Sequence, residues 1–540
     1  MNLRFLKRKG DSDGLPGRTG LWLAGILALA AALRLINIGK EPFWCDEILS
    51  LDIATSFDSA FEMLRYLAQV EFHPPLYYLT IRPWVGIFGA SEVSLRSLSL
   101  IFSLGIVFMV YVIARRMFED RRVGLLAAGI TAILPMQIEY GQEARPYAMF
   151  CFVGCLAVFA VWEHLRSGRR SWVAVYVAAS AFGLYLHYSY FFVVAATTLW
   201  WLTEACIVEK DRSRRLLTWL VGHAAVFVAF WPWLDEMLYK IDLGRFELLG
   251  HARNLVPLRE PNFIGNLFDS VIWVTKDAYV PTVQNLAVAL AIGIFVWAAV
   301  KGLKVHPSTL LRAGEAQKRN VMRILIALTV IPMALFLISP HSIPYTSIVE
   351  RHVIWITVPL AVIIAAVAVR AGARRGAVLL AVFVASLLPY IVAVVANDAH
   401  YDRYFRLEEG AEYINEYYAE GDVVVVAFSI LRSDLSHYLR DDIPVESIVP
   451  ISDRGYDVWR GRRVLGLIEN EMQTRIPQTT EDDIALKLDW ITRKHGARRV
   501  WLYGLADSDY KVHNWFDKSV WRRGFRSIGG VLRLDLYSKR

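Results

Sequence analysis

The feature that most constrains this chain is a succession of apolar runs, each about as long as a bilayer is thick, divided by short polar loops. A helix needs about 20 apolar residues to cross the hydrocarbon layer. Runs near 20–38, 95–113, 123–138, 147–163, 172–187 and 190–208 meet that length. So do runs near 216–233, 284–300, 322–338, 352–369 and 377–396, which predicts about eleven spans. Composition agrees: 55% of the 540 residues are hydrophobic and only 20% are charged. Soluble domains carry about 25% charge, so a string of soluble domains, a disordered chain and a disulfide scaffold are all excluded. The expected fold is a polytopic α-helical membrane protein.

The basic loops orient it. Arg115, Arg116, Arg121 and Arg122 form one cluster, and Arg166, Arg169 and Arg170 a second. Lys210, Arg212, Arg214 and Arg215 follow, then Lys301, Lys304, Lys318, Arg319 and Arg323, then Arg370, Arg374 and Arg375. With the basic N-terminus they alternate along the spans, as cytoplasmic loops do. The formal net charge of +8 is therefore a topology signal, and no nucleic-acid partner is expected. The N-terminus is predicted to be cytoplasmic, and an odd number of spans places the C-terminal segment outside. The first run continues apolar through Ile36 and reads as a retained anchor, not a cleaved leader. Of the four cysteines, Cys151, Cys155 and Cys206 lie in apolar segments as packing thiols, and only Cys45 is near an aqueous loop.

After Asn397 the spans cease. Amphipathic stretches (Tyr404–Glu420, Asp482–His495) alternate with β-rich runs at Asp422–Phe428, Arg463–Ile468 and Arg499–Tyr503. Phe525–Tyr537 reads as a strand pair turning at Gly529-Gly530. Alternation of this kind predicts a small α/β domain with a partly parallel sheet. The expected division is a transmembrane catalytic domain over 1–397, with extracytoplasmic loops at 39–94 and 234–283, and a soluble α/β domain over 398–540. The later loop carries Lys240, Arg245, His251, Arg253 and Arg259 and reads as a candidate lid. No Gly-rich phosphate loop opens a helix in the C-terminal domain, which favours a supporting or acceptor-binding role for it.

Ionisable residues at membrane level are costly and are functional candidates by default. On this topology they gather at the outer ends of the spans. The first external loop contains Asp46 and Glu47, then His73 and Tyr77; the second contains Glu143, Arg145 and Tyr147. His187 lies in a tight third turn, and Arg351 stands just before a later span. Each has a plainer reading. Asp46 can cap a helix beginning at Glu47, and Glu47 can be a first-turn acid favoured by the helix dipole. His73 before two prolines can shape a turn, and Arg145 can snorkel or pair with Glu143. The tyrosines and tryptophans can form an interfacial belt.

The chemistry that fits the set is displacement at a sugar carbon whose leaving group is a lipid phosphate. A carboxylate must take the proton of the incoming hydroxyl, and fixed cations must hold the phosphate as charge builds on it. Arginine suits that task because its planar fork matches two phosphate oxygens. Asp46 and Glu47 are neighbours, about 100° apart on a helix, so both cannot aim at one atom. Asp46 is assigned as base and Glu47 as an orienting or ligating residue.

The runs EPFWCDE, HPPLYYLTIRPWVGIFGASEVSLRSLS and IEYGQEARPYA, with the later GLYLHYSYFF and ERHVIWITVPL, resemble bacterial integral-membrane glycosyltransferases of the GT-C superfamily. Within it they are most similar to glycosyltransferase family 39, which contains the protein O-mannosyltransferases. The resemblance covers roughly residues 20–390. It implies a GT-C fold, a polyprenyl-phosphate monosaccharide donor, inverting transfer of a hexose or pentose, and a catalytic acid in the first external loop. Carried onto this sequence, the acidic pair falls on Asp46 and Glu47, and donor-phosphate contacts fall on His73, Arg145 and Arg351. Tyr77, Glu143, Tyr147 and His187 are the accompanying substrate-binding candidates. Eukaryotic members hold a β-trefoil module in a loop that nothing in this sequence resembles, a departure that counts against a protein Ser/Thr acceptor; the C-terminal α/β domain instead suggests an envelope acceptor (lipid, glycan or protein) at the outer face of the cytoplasmic (inner) membrane.

No cofactor is required by the sequence. A divalent metal ion is an option if the fold gathers Glu47, His73 and His187, and the metal ligands are otherwise unassigned. Two rivals stand beside the transferase. One is a transporter or flippase of a lipid-linked sugar, which calls for broken helices or internal repeats. The other is an oligosaccharide ligase using a polyprenyl-diphosphate donor. The sugar, the acceptor and the oligomeric state are not encoded in any motif.

Overall fold

The computed structural model describes residues 17–69, 71, 73–207, 212–247, 354–396, 407–426, 435–447, 481–505, 521–528 and 532–539. The chain divides into two compact units, one of residues 1–38, 96–232 and 256–396, the other of residues 39–95, 233–255 and 397–540.

The first unit is helical. It holds α1 (Arg18–Leu35), most of α5 (Glu92–Phe118), α6 (Arg121–Ile133), α7 (Pro135–Glu139), α8 (Tyr147–Ser167), α9 (Ser171–Leu186) and α10 (Tyr190–Ile207). Most of α11 (Arg212–Glu247), α12 (Thr357–Arg370) and α13 (Ala373–Ala396) complete it. Helix α8 is apolar on every side and buried along most of its length, as a helix enclosed by others must be. It packs on α9 and α10, while α6 packs on α12 and α1. Gly183 of α9 admits the ring of Tyr190 where a Cβ would collide with it. Cys151 and Cys155 are free buried thiols in α8.

The outer helices present apolar side chains outward. Trp22 on α1 and Val228 on α11 are each 68% exposed, and Leu217, Leu220, Val221, Phe227 and Trp231 are exposed beside the latter. An apolar surface of this extent needs a partner, and for helices of this length it is lipid. Four helices among the described residues are long and apolar enough to cross a membrane, Arg18–Leu35, Glu92–Phe118, Tyr147–Ser167 and Arg212–Leu238, and shorter apolar helices accompany them. The chain is a polytopic helical membrane protein.

One span departs from its expected form. The run 123–138 is not a single helix: α6 stops at Ile133, Leu134 is extended (φ −63°, ψ 124°), and α7 restarts at Pro135. Proline has no N–H for the ladder and drives the residue before it out of helical geometry. The expected spans at 284–300 and 322–338 lie outside the described residues, as do much of the candidate lid and the run Arg463–Ile468. At the other end of these helices Glu163, 5% exposed, receives Arg116 at 3.5 Å and Arg166 at 3.0 Å, so two of the basic loops are tied to one buried carboxylate.

In the second unit, residues 39–95 fold into α2 (Cys45–Thr55), α3 (Ala60–Gln69), α4 (Leu76–Phe88) and the start of α5. Helix α2 packs on α4. Arg82 of α4 donates to Ala54 O at 2.9 Å and Phe57 O at 2.8 Å, satisfying carbonyls at the C-terminal end of α2 that no helical donor reaches.

The C-terminal part of this unit holds α14 (Leu407–Tyr417), α15 (Glu481–Lys494) and strands β1 (Asp422–Val426), β2 (Val445–Ser447), β3 (Arg499–Leu505), β4 (Trp521–Ile528) and β5 (Leu532–Lys539). The sheet order is β2-β1-β3-β5-β4. β1 runs parallel to β2 and β3, pairing Val424 with Val445 and Asp422 with Arg499, whereas β5 runs antiparallel to β3 and β4. All five residues of β1 are buried because both faces of the sheet are covered. Val424 and Val426 join Ala411 and Ile414 on one face; Val423 and Val425 join Leu488 and Ile491 on the other. Strand β2 was not legible in the sequence: three residues carry too little pattern to announce a strand.

Candidate active site

The sequence-predicted residues fall into both units. Asp46, Glu47, His73 and Tyr77 belong to the second; Glu143, Arg145, Tyr147 and His187 belong to the first. Arg351 lies outside the described residues.

Helix α2 begins two residues earlier than a cap at Asp46 requires. Trp44 is the N-cap, extended at φ −88° and ψ 167°, so Asp46 is the second residue of the first turn and Glu47 the third. The capping explanation of Asp46 therefore fails. Glu47 does take up the helix-end role: its Oε2 accepts from Trp44 N at 3.4 Å, reaching back to an amide that the helix leaves unpaired. Glu47 is fully buried, whereas Asp46 is half-buried. Asp46 thus keeps a face that a ligand can approach, and Glu47 is committed to holding the turn. Both carboxylates stand in the first turn of α2.

His73 gains a partner the sequence did not announce. Its Nδ1 lies 2.6 Å from Glu71 Oε1, and its backbone N–H donates to the same oxygen at 3.2 Å. Glu71 is buried. A carboxylate on Nδ1 fixes the ring and its tautomer. Four residues on, Tyr77 is buried at the start of α4, edge-on to Tyr78 at 6.1 Å.

In the first unit the loop from α7 to α8 carries the charges inside. Glu139, Glu143 and Arg145 are all buried, Arg145 at 1% exposure. Its own amide donates to Glu143 O at 2.8 Å, and its carbonyl accepts from Ser99 Oγ at 3.4 Å. A guanidinium this enclosed is not snorkelling to lipid headgroups, which removes that plainer reading. Tyr147 and His187 are brought together with ring centroids 5.6 Å apart, and His187 stacks on Phe150 at 5.6 Å. His187 Nδ1 accepts from Ser189 N at 3.1 Å, which places the proton of the neutral ring on Nε2. Tyr140 packs edge-on to Tyr147 at 5.3 Å, and both are buried, so these tyrosines form a packed aromatic wall.

A further group was missed. Arg34, in the last turn of α1, is fully buried. Its Nε donates to Ser103 Oγ at 2.6 Å, and its Nη1 donates to Ala30 O at 3.0 Å and Ala132 O at 2.9 Å. Ser103 Oγ donates in turn to Gln137 O at 3.1 Å, and Gln137 Nε2 donates to Thr357 Oγ1 at 2.8 Å. Gly141 fits against Ser103, Gln137 and Arg34, where a Cβ would stand within 3.0 Å of each. The arginine therefore pins the α6–α7 break from which the loop of Glu143 and Arg145 departs. An arginine inside an apolar run is itself a signal, so this one was findable.

Among the described residues, no group of three or more His, Cys, Asp and Glu side chains stands together as a metal site.

The family described as dolichyl-phosphate-mannose-protein mannosyltransferase matches residues 72–234, a stretch that contains His73, Glu143, Arg145 and His187. No curated protein matches the chain in sequence. Among solved structures, the apo oligosaccharyltransferase of Archaeoglobus fulgidus aligns at TM-score 0.53 and 14% identity, over 90% of this chain and 69% of that one. The archaeal oligosaccharyltransferase AglB of the same organism, in complex with an inhibitory peptide and a dolichol-phosphate, aligns at 0.50 and 13%, over 97% and 74%. ArnT from Cupriavidus metallidurans bound to undecaprenyl phosphate aligns at 0.49 and 14%, over 96% and 98%. At such identities the likeness to solved structures is one of fold. The family match is confined to residues 72–234, and the likeness to the oligosaccharyltransferase is one of fold, the membrane-helical fold that the sequence motifs imply.

Proposed function

We propose that this protein transfers a single sugar, hexose or pentose, from a polyprenyl-phosphate carrier to an envelope acceptor at the outer face of the cytoplasmic membrane. In this reading Asp46 takes the proton of the acceptor hydroxyl. The acceptor oxygen then forms its bond to the anomeric carbon as the bond from that carbon to the phosphate oxygen breaks. The electron pair leaves with the lipid phosphate, and attack from the opposite side inverts the configuration. Arg145, His73 and Arg351 hold the phosphate, where charge develops in the transition state. Glu47 orients the first turn of α2. Tyr77, Glu143, Tyr147 and His187 line the sugar, and the C-terminal α/β domain supports the acceptor side.

The observation that carries the reading is the enclosure of Arg145 and Glu143 at the end of a membrane-length helix, within the stretch that matches the mannosyltransferase family. Buried charges there are expensive, and an arginine fork is the group suited to a phosphate. The half-buried Asp46, on the positive end of a short helix, supplies the acid–base partner. A metal ion at Glu47, His73 or His187 is no part of the proposed step.

The test is transfer by the purified protein in nanodiscs, with a polyprenyl-phosphate hexose as donor and an envelope extract as acceptor source. Asp46→Asn should fold and bind donor but lose transfer by at least about 100-fold, the scale of a general base. Near-normal turnover removes Asp46 as base. Arg351→Ala should raise the donor KM, and an unchanged KM removes that contact.

A further inference from the structure

Asp46 and Glu47 owe their placement to a helix start, and a residue nearly four hundred positions away holds that start. Tyr438 Oη donates to Phe43 O at 3.2 Å, across a sequence separation of 395. Phe43 O and Trp44 N belong to one peptide group. The N–H of that group donates to Glu47 Oε2. Both ends of the Phe43–Trp44 peptide are therefore engaged, by a hydroxyl on one side and by the buried carboxylate on the other. Trp44 O then accepts from Glu47 N at 2.9 Å and Ile48 N at 3.0 Å, which closes the first turn around Asp46. The plane of one peptide thus sets the entry of α2.

The support behind Tyr438 is firm. Leu435 and Leu439 on either side of it lie in the sheet core with Ile414 and Val424. Its carbonyl accepts from Asn415 Nδ2 of α14 at 2.9 Å, and Asn415 Oδ1 accepts from Arg440 N at 3.0 Å. Beside it, His437 meets the buried Phe43 ring edge-on at 5.8 Å and the Tyr438 ring at 4.9 Å. A hydroxyl on so fixed a ring has little freedom to lose on bonding, and a peptide polarised from both ends is held more tightly than by either bond alone.

We infer that Tyr438 is a positioning residue for the acidic first turn of α2, so that the C-terminal α/β domain takes part in aligning Asp46. The alignment stands on geometry alone; its consequence for turnover rests on the proposed role of Asp46 as base.

The experiment uses the full-length protein in nanodiscs and the variant Tyr438→Phe, which removes one oxygen and keeps the ring. Hydrogen exchange is followed in peptides covering 43–50, with peptides from α14 and β3 as internal references. The expected result is about ten-fold faster exchange at Trp44, Glu47 and Ile48, the effect of one lost hydrogen bond, with the references unchanged. Glu47→Ala, which removes the acceptor of Trp44 N–H, should accelerate the same amides, and the double variant should add little, because both act on one peptide. Exchange over 43–50 equal to the parent's overturns the inference. Acceleration that spreads equally to α14 and β3 also overturns it, since it would mark a general loosening of the domain. Transfer from a polyprenyl-phosphate hexose reads the second link: kcat should fall about ten-fold with donor KM unchanged. Local acceleration with unchanged kcat upholds the positioning and counts against Asp46 as base.

Discussion

Replacing Arg34 by methionine tests the account of the α6–α7 break, because the bonds it makes differ in what they leave behind. Ala30 O sits inside α1 and keeps its helical donor. Ser103 Oγ keeps its bond to Gln137 O. Ala132 O is different: it lies in the last turn of α6, whose carbonyls have no donor within the helix, and Pro135 has no N–H to give. Arg34 Nη1 at 2.9 Å meets that need. A buried carbonyl left without a donor costs about 1–3 kcal/mol. Removing a buried guanidinium recovers part of its desolvation energy, which offsets the loss of the charge-assisted bonds. Methionine fills much of the volume, so no large cavity is added. The net expectation is a loss of about 2 kcal/mol, seen as a fall of roughly 2–3 °C in the melting temperature of the detergent-purified protein. Ser103→Ala should cost less, about 1 kcal/mol, and its effect should shrink but not vanish in the Arg34→Met background, because the bond shared with Arg34 is gone while the bond to Gln137 O is still lost. A melting temperature for Arg34→Met within about 1 °C of the parent would refute the pinning argument.

Other expectations follow from the same geometry. Asp422, 3% exposed, accepts from Arg499 Nε and Nη2 at 2.8 and 2.6 Å, from Trp501 Nε1 at 2.9 Å and from Ala419 N at 3.0 Å. Asp422→Ala strands those donors and should destabilise the C-terminal domain by about 3–5 kcal/mol, read by its sensitivity to protease. Desolvation beside the Phe43 and Tyr438 rings holds the pKa of the partly exposed His437 below its ordinary 6.5, with Glu92 acting in the opposite direction. The unfolded chain therefore binds this proton more readily than the folded one. Stability is full above about 6.5 and falls as the pH drops from there towards the folded pKa. His437→Phe keeps the ring against Phe43, and its melting temperature should lose that part of the acid sensitivity between pH 7.5 and 5.5. Gly183→Ala places a methyl group into the Tyr190 ring and should lower the melting temperature by several degrees, equivalent to about 1–3 kcal/mol of overpacking.

Length and polarity made most of the helical unit legible. A membrane helix must satisfy its own backbone and face lipid or other helices with apolar side chains, so α1, α5, α8 and α11 announce themselves as runs. The break at Leu134 was hidden inside such a run, although Pro135 marks its place. The loop residues were legible as chemistry but not as geometry. Arg145 is conspicuous in sequence, yet its enclosure depends on how α7 and α8 leave their loop. His73 was conspicuous too, but Glu71 beside it was passed over, because a lone acid two residues away shows no periodicity. Tyr438 is the extreme case: nothing local distinguishes it from other tyrosines, and its contact at Phe43 joins segments 395 residues apart. Contacts of that kind belong to the fold and leave no trace in a single sequence.

The central claim, that a sugar leaves a polyprenyl phosphate by way of Asp46, is tested most directly by identifying the lipid product. The purified protein in nanodiscs is given a polyprenyl-phosphate hexose and an envelope extract, and the lipids are analysed by mass spectrometry. The account predicts polyprenyl monophosphate appearing in step with a product heavier by one hexose of inverted anomeric configuration, and neither with Asp46→Asn. A donor recovered intact on the opposite leaflet, or turnover only of a polyprenyl-diphosphate oligosaccharide, would contradict it.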